Sequence, residues 1–307
     1  MQQSITVLMS TYNGGKYLQE QIKSILRQKD VSVRLIIRDD GSTDETLDIL
    51  RIYQESNPNI VIEPKTNNMG PCKSFLYLIS KYNDDEYFAL ADQDDIWDED
   101  KLTTAINKIQ ELGASGKPVL YYSNLRIVDA EGTFCRLSHN APHTAKRRFA
   151  AFVENLATGC TVVYNKNLAD IAHNIRPDDY SMHDAWLYTV TKLFGSVIYD
   201  FAPHINYRQH GANQVGTYKN KVDLKKIHQE LEIVLGKNGK MWSKNAALIL
   251  NQFQAKLSPM DRDKIRKIAE YEKSLKAKIS VLIDKDYYPD SFYRKIRFIA
   301  ELLCNTL

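Results

Sequence analysis

A chain of 307 residues with a formal net charge of +3 is long enough for a sizeable core and one or two domains. Its 43% hydrophobic and 26% charged content fits an ordinary globular class, and it lacks the run of about eighteen apolar residues that a spanning helix needs. Cys72, Cys135, Cys160 and Cys304 are scattered and form no CxxC pair, so neither a disulfide framework nor a structural zinc site is indicated and buried reduced thiols are expected.

In chain order, residues 5–9 form a short apolar run that reads as a strand. Residues 19–28 carry Ile22, Ile25 and Leu26 at helical spacing, and residues 33–37 are rich in β-formers. Residues 43–53 look helical, with Ser42 as the expected cap and Glu45 in the capping-box position. Residues 60–62 make a third strand, and residues 75–79 lie on a helix that follows the Gly70-Pro71 turn. Residues 87–91 make the next strand, and Leu102, Ala105, Ile106, Ile109 and Leu112 mark one face of a further helix. Strand alternating with helix predicts a mostly parallel α/β sheet with helices on both sides. Beyond residue 113, strands are expected at 119–123, 161–164 and 197–201, with a mobile polar loop over a site at 129–150. From about Val222 the chain turns helical and basic. A domain boundary near Gly216 is therefore expected, with an α/β domain over 1–216 and a mainly helical region over 217–307.

Polar clusters sit at the C-terminal ends of the strands, the edge where open α/β sheets bind ligands. Thr11-Tyr12-Asn13-Gly14-Gly15 follows the first strand. It is neither GxGxxG nor GxxxxGK[ST], and taken alone it suits a plain Asn-Gly turn as well as a ligand-binding loop. Asp39-Asp40-Gly41-Ser42-Thr43-Asp44 follows the second. Capping accounts for Ser42 there, but not for Asp39 and Asp40 together. Asp92-Gln93-Asp94-Asp95 follows the strand at 87–91. Three carboxylates so close repel one another, and a hard divalent cation relieves the repulsion. The plainer alternative is a solvated acidic turn that complements the next helix dipole.

In order and spacing, Thr11-Tyr12-Asn13, Asp40-Gly41-Ser42-Thr43-Asp44, Asn68-Met69-Gly70 and Asp92-Gln93-Asp94-Asp95 resemble the motifs of family 2 glycosyltransferases. With Ile96-Trp97 and Tyr207-Arg208-Gln209-His210-Gly211, the set is most similar to bacterial rhamnosyltransferases of polysaccharide biosynthesis. The likeness spans roughly residues 4–216.

The resemblance implies a GT-A fold, a Rossmann-like, mostly parallel sheet flanked by helices, here with a C-terminal helical extension. It implies an inverting, metal-dependent transfer of L-rhamnose from dTDP-rhamnose to a lipid-linked glycan. Thr11 and Tyr12 would line the base pocket, with Asn13 also donor-binding and Asp39 or Asp40 bonding the base. Asp92 would bond the ribose, Lys73 would stand as a basic residue near the donor, and Arg208 would meet a phosphate. Asp94 and His210 would hold Mn2+ or Mg2+. Asp184, in His183-Asp184-Ala185-Trp186, would be the catalytic base, with His183 in place of the family's usual Glu. Trp186 would stack on the acceptor, although its type equally suits the core. Gly159-Cys160 would leave room beside the donor sugar. The other histidines, His139, His143, His173, His204 and His228, are read as structural. The alternatives are a UDP-hexose or UDP-N-acetylhexosamine donor and, in another class, a non-catalytic sugar-nucleotide-binding scaffold.

Residues 217–307 hold 19 Lys/Arg against 11 Asp/Glu, and residues 1–216 hold 22 against 27. Phe292, Ile296, Ile299, Ala300 and Leu303 fall at helical spacing beside Arg294, Lys295 and Arg297, after Tyr287 and Tyr288. Such a helix can lie on an anionic membrane with the tyrosines at the interface, or pack on the catalytic domain, or dimerise. Nucleic acid is not expected, as no helix-turn-helix, zinc-finger or RRM signature appears. The N-terminus lacks a basic n-region, so a cytoplasmic protein is expected, with a peripheral hold on the inner face of the cell membrane through the basic region.

Overall fold

The computed structural model describes residues 2–64, 67–113, 116–140, 146–211 and 239–304. The boundary expected near Gly216, and His143 and His228, lie outside the described residues. Two compact units are present: Met1–Thr144, Ala157–Asp178 and Met182–Gly216 in one; Ala145–Leu156, Asp179–Ser181 and Thr217–Leu307 in the other.

The first unit is built on a mixed sheet. Its strands are β1 (Gln3–Thr11), β2 (Val31–Asp39), β3 (Ile60–Ile62), β4 (Tyr87–Ala91), β5 (Ile96–Trp97), β6 (Val119–Val128), β7 (Phe134–Leu137), β8 (Val163–Asn165) and β9 (Ser196–Arg208). Among the described residues their order is β3-β2-β1-β4-β8-β6-β9-β5, with β7 on β6. Pairing is parallel through β3, β2, β1 and β4 and again between β6 and β9. The remaining strands join antiparallel. β7 occupies part of the stretch expected to be a loop at 129–150.

Helices cover the sheet through apolar stripes. In α1 (Gly15–Leu26), Leu18, Ile22 and Ile25 are buried, and in α4 (Lys101–Glu111), Leu102, Ala105, Ile106 and Ile109 are. α2 spans Thr46–Ser56. It starts after Glu45 with no side-chain cap, which corrects the cap expected at Ser42. The Ser42 hydroxyl instead donates to Asp39 Oδ2 at 2.6 Å. α3 (Pro71–Lys81) opens with proline in its first turn after Gly70, whose φ of 81° suits glycine. α5 (Lys166–Ala172) and α6 (His183–Phe194) follow β8.

Register places the site. In the parallel ladder Thr11 lies opposite Asp39, and Met9 lies opposite Ala91. The loops that leave β1, β2 and β4 therefore emerge on one sheet edge. β5 brings the end of β9 to the same place, with Ile96 opposite Asn206.

The second unit is helical: α7 (Gly239–Phe253), α8 (Pro259–Glu270), α9 (Leu275–Ile283) and α10 (Phe292–Cys304). Ile249, Ile265, Ile268, Tyr271, Tyr287, Phe298 and Leu302 form its interior. Tyr287 is fully buried, and Tyr288 packs edge-on against Phe298 with a centroid distance of 5.2 Å. Both tyrosines face inward, which corrects their expected place at a lipid interface.

Candidate active site

The loop after β1 is fastened from two sides. Tyr12 N–H donates to Gln93 Oε1 at 2.8 Å, and Gln93 Nε2 donates back to the Tyr12 carbonyl at 3.1 Å. Asn13 takes a left-handed φ of 47°, which asparagine tolerates. Its N–H donates to Ser42 Oγ at 2.9 Å, and its Oδ1 accepts from Thr43 N–H at 2.8 Å. Tyr12 keeps its side chain outward at 49% exposure, so its ring offers a face to a flat ligand.

The two aspartates after β2 differ in what they have left. Asp39 accepts from Gly41 N–H at 3.1 Å, Ser42 N–H at 2.9 Å, Ser42 Oγ at 2.6 Å and Thr11 Oγ1 at 2.9 Å. A carboxylate has about four acceptor positions, so Asp39 is filled. This corrects its expected role at the base: it holds the loop. Asp40 accepts from Arg38 Nη1 at 2.5 Å, Met69 N–H at 2.9 Å and Gly70 N–H at 2.7 Å, and so keeps one position. Arg38 and Asp40 form a fully buried ion pair that ties β2 to the loop before α3.

At the end of β4 the carboxylates separate by environment. Asp95 is buried, accepts from Arg208 N–H at 3.2 Å, and has an Oδ2 without a partner. Burial, then Asp92 and Asp94, push its carboxyl well above the usual range. Asp92 is pushed up to about 7 by burial first and then by Asp94 and Asp184. Asp94 sits at the open side, where its Oδ2 lies 2.8 Å from His210 Nε2.

Asp92, Asp95 and Cys160 also bring one oxygen or sulfur each within 4.8 Å of one another. Burial beside the two carboxylates holds the Cys160 thiol well above its usual range, so it keeps its proton, and a protonated thiol is a poor ligand for a hard cation. That inner group is therefore a poor cation site. Asp94 with His210 is the better one. A hard ion at about 2.1 Å from each ligand keeps neighbouring ligands about 3 Å apart, and a carboxylate with an imidazole is a competent donor set.

Asp184 lies in the first turn of α6, where the helix dipole favours a carboxylate. It is 8% exposed, and its Oδ1 accepts from Ala185 N–H at 2.7 Å. Its charge raises both Asp92 and the Cys72 thiol, so it shares the site with the β4 edge and the start of α3. His183 is buried and stacked on Phe75 at 4.3 Å, and burial lowers its basicity. A Cβ at Gly159 would come within 2.8 Å of His183 Nε2, which accounts for glycine there by close approach.

Three further expectations meet different outcomes. Trp186 is fully buried and donates Nε1–H to the Ala172 carbonyl at 2.9 Å. It belongs to the core, which corrects its expected place under the acceptor. Arg208 is 3% exposed and donates to the Asp94 carbonyl at 3.1 Å, the Ala130 carbonyl at 2.9 Å and Glu20 Oε2 at 2.5 Å. It also covers the Tyr17 ring at 4.7 Å. The guanidinium buttresses the acidic loop, which corrects its expected phosphate contact. Lys73 stays half exposed on α3 and pairs with Asp178. Such an exposed pair is weak and can be exchanged for a ligand phosphate at little cost.

Lys101 was not foreseen at all. It is fully buried at the start of α4, with Nζ 3.5 Å from the Trp97 ring centroid and no hydrogen-bond partner. Burial pulls its ammonium down to about 7, against the attraction of Asp95.

The Glycosyl transferase family 2 model matches residues 6–170. The dTDP-rhamnosyl transferase RfbG of Shigella flexneri is 34% identical over 245 residues, 75% of this chain and 80% of its own. The uncharacterized glycosyltransferase RP339 of Rickettsia prowazekii is 25% identical over 244 residues, 75% of this chain and 74% of its own. Among solved structures, S. aureus TarS 1-349 superposes with a TM-score of 0.56 at 16% identity, over 99% of this chain and 81% of its own. That likeness carries the fold alone, and the fold is GT-A with a helical C-terminal region.

Proposed function

This chain belongs to glycosyl transferase family 2, and we propose that it moves L-rhamnose from dTDP-β-L-rhamnose to a lipid-linked glycan of a cell-surface polysaccharide, with inversion at the sugar carbon. The similarity to the dTDP-rhamnosyl transferase of Shigella flexneri supports the donor. The reading of the site rests on one observation: buried Asp184 packs against Gly159, where an added Cβ would lie 3.7 Å from its own, and the next residue, Cys160, has its sulfur within 4.8 Å of the Asp92 and Asp95 carboxylates.

The residues divide the work. Thr11 and Tyr12 shape the base pocket, with Asn13 in the same donor-binding loop; the half-exposed Tyr12 ring stacks on the thymine and Asp40 bonds the base. Asp92 bonds the ribose. Asp94 and His210 would hold Mn2+ or Mg2+, which would supply positive charge against the leaving diphosphate. Lys73 leaves Asp178 to meet a donor phosphate.

Asp184 takes the proton from the acceptor hydroxyl as its oxygen attacks the anomeric carbon. The carbon–oxygen bond to the nucleotide breaks in the same displacement, and dTDP leaves with the electron pair. A β-linked donor thus gives an α-linked product. Holding the base beside the acceptor adds proximity to proton transfer.

A donor panel tests the substrate. Nucleotide release should be fastest from dTDP-rhamnose when it is compared with UDP-glucose, UDP-galactose and UDP-N-acetylglucosamine. A preference for one of the UDP sugars would replace rhamnose in the proposal.

A further inference from the structure

The C-terminal helices carry a surface that shares no residue with the candidate site. α9 turns Ala277 and Val281 inward and leaves Leu275, Ile279 and Ile283 at 61, 49 and 72% exposure, four residues apart on one face. α10 turns Phe298 and Leu302 inward and leaves Phe292, Ile296 and Leu303 at 79, 52 and 54% exposure. Lys278 Nζ donates to the Leu303 carbonyl at 3.4 Å, so the two helices are neighbours where the α9 stripe begins and the α10 stripe ends. Single exposed apolar residues are ordinary, but two stripes on adjoining helices mark an interaction surface.

Most of the acids around it are engaged in ion pairs: Asp284 and Asp286 with Lys264, Asp290 with Arg147, Glu301 with Arg297 and Glu154 with Arg294. Lys276, Lys285 and Lys295 flank the stripes and have no ion-pair partner among the described residues. The fitting partner is therefore apolar beneath and anionic on top. A second copy placed face to face would bring lysine against lysine, and like charges oppose that association.

We propose that this surface docks on an anionic phospholipid bilayer. Leu275, Ile279, Ile283, Phe292, Ile296 and Leu303 enter the acyl boundary, and Lys276, Lys285 and Lys295 meet lipid phosphates. No described helix is long and apolar enough to cross a membrane, so the helices lie on the bilayer.

Flotation of the full chain with vesicles tests this. Phosphatidylcholine vesicles with about 30% phosphatidylglycerol should capture the protein, phosphatidylcholine alone should not, and salt should weaken capture. The triple variant Lys276→Glu, Lys285→Glu, Lys295→Glu should partition about 100-fold more weakly. The variant Ile279→Glu, Ile283→Glu, Ile296→Glu should lose capture as well. All six positions are outside the core, and circular dichroism and nucleotide release in solution should match the parent. Failure of the parent to float with anionic vesicles, or unchanged capture of both variants, overturns the proposal. So does a dimer in light scattering that the isoleucine variant abolishes while vesicles capture nothing.

Discussion

His210 Nε2 lies 2.8 Å from Asp94 Oδ2, across 116 residues of chain. The contact exists because β5 pairs with β9 and brings the end of the last strand to the acidic loop after β4. If these two groups share one cation, Asp94→Ala and His210→Ala should each remove the gain in donor affinity that Mn2+ gives. The double variant should then be no worse than the stronger single one, because the two residues act on one ion. Calorimetry of donor binding with and without Mn2+ checks this. Additive losses, or a Mn2+ effect that survives both changes, would argue for separate roles.

Arg38 and Asp40 are the buried ion pair behind the base pocket. Arg38→Met leaves Asp40 buried with its charge unpaired, a change that costs about 3–5 kcal/mol. A lowered urea midpoint with an unchanged denaturant slope is expected. A loss below about 1 kcal/mol would mean that the Met69 and Gly70 N–H groups alone hold Asp40.

Lys101 makes stability depend on pH. Its ammonium is lowered to about 7 in the folded chain, against about 10.4 unfolded. Between those values the unfolded chain binds more protons, so this residue's contribution to stability rises with pH across that window. Its penalty is full below about 7 and is relieved toward 10. Relative to Lys101→Met, the parent should gain up to about 1.4 kcal/mol per pH unit above 7. Denaturation curves at pH 7, 8 and 9 measure it, and parallel profiles for the two proteins would contradict it.

The cysteines should divide by burial. Cys135 and Cys304 are exposed, Cys160 is buried, and burial pushes the Cys72 thiol up to about 11. A disulfide reagent at pH 8 should therefore modify two thiols quickly and the other two only on unfolding. Fast modification of all the thiols would contradict the burial of Cys160.

The repeating strands and helices of the first hundred residues were legible because each carries its own apolar periodicity, and each ends in polar residues where the chain turns. β5 was not legible. It is Ile96 and Trp97 alone, and only its pairing with β9 makes it a strand. Ser42 reads as a helix cap by type, yet its hydroxyl goes to Asp39 because the parallel register of β1 and β2 closes that loop on itself. Asp39, Trp186 and Arg208 show the same limit at the site. Their types announce chemistry, and burial with internal partners gives them support roles instead. Lys101 carried no signal, since a lysine at a helix start is ordinarily solvated. Asp92 and Asp94 were singled out by their place directly after an apolar strand, and Asp184 by its likeness to the family motif; in the structure they follow β4 and open α6.

The base assignment is tested most directly by Asp184→Asn, assayed for nucleotide release with acceptor and, in parallel, for donor binding by calorimetry. Asparagine keeps the shape and cannot take the acceptor proton. Turnover should fall by about 10²–10⁴-fold while donor affinity stays within a small factor. Near-normal turnover in this variant would contradict the account.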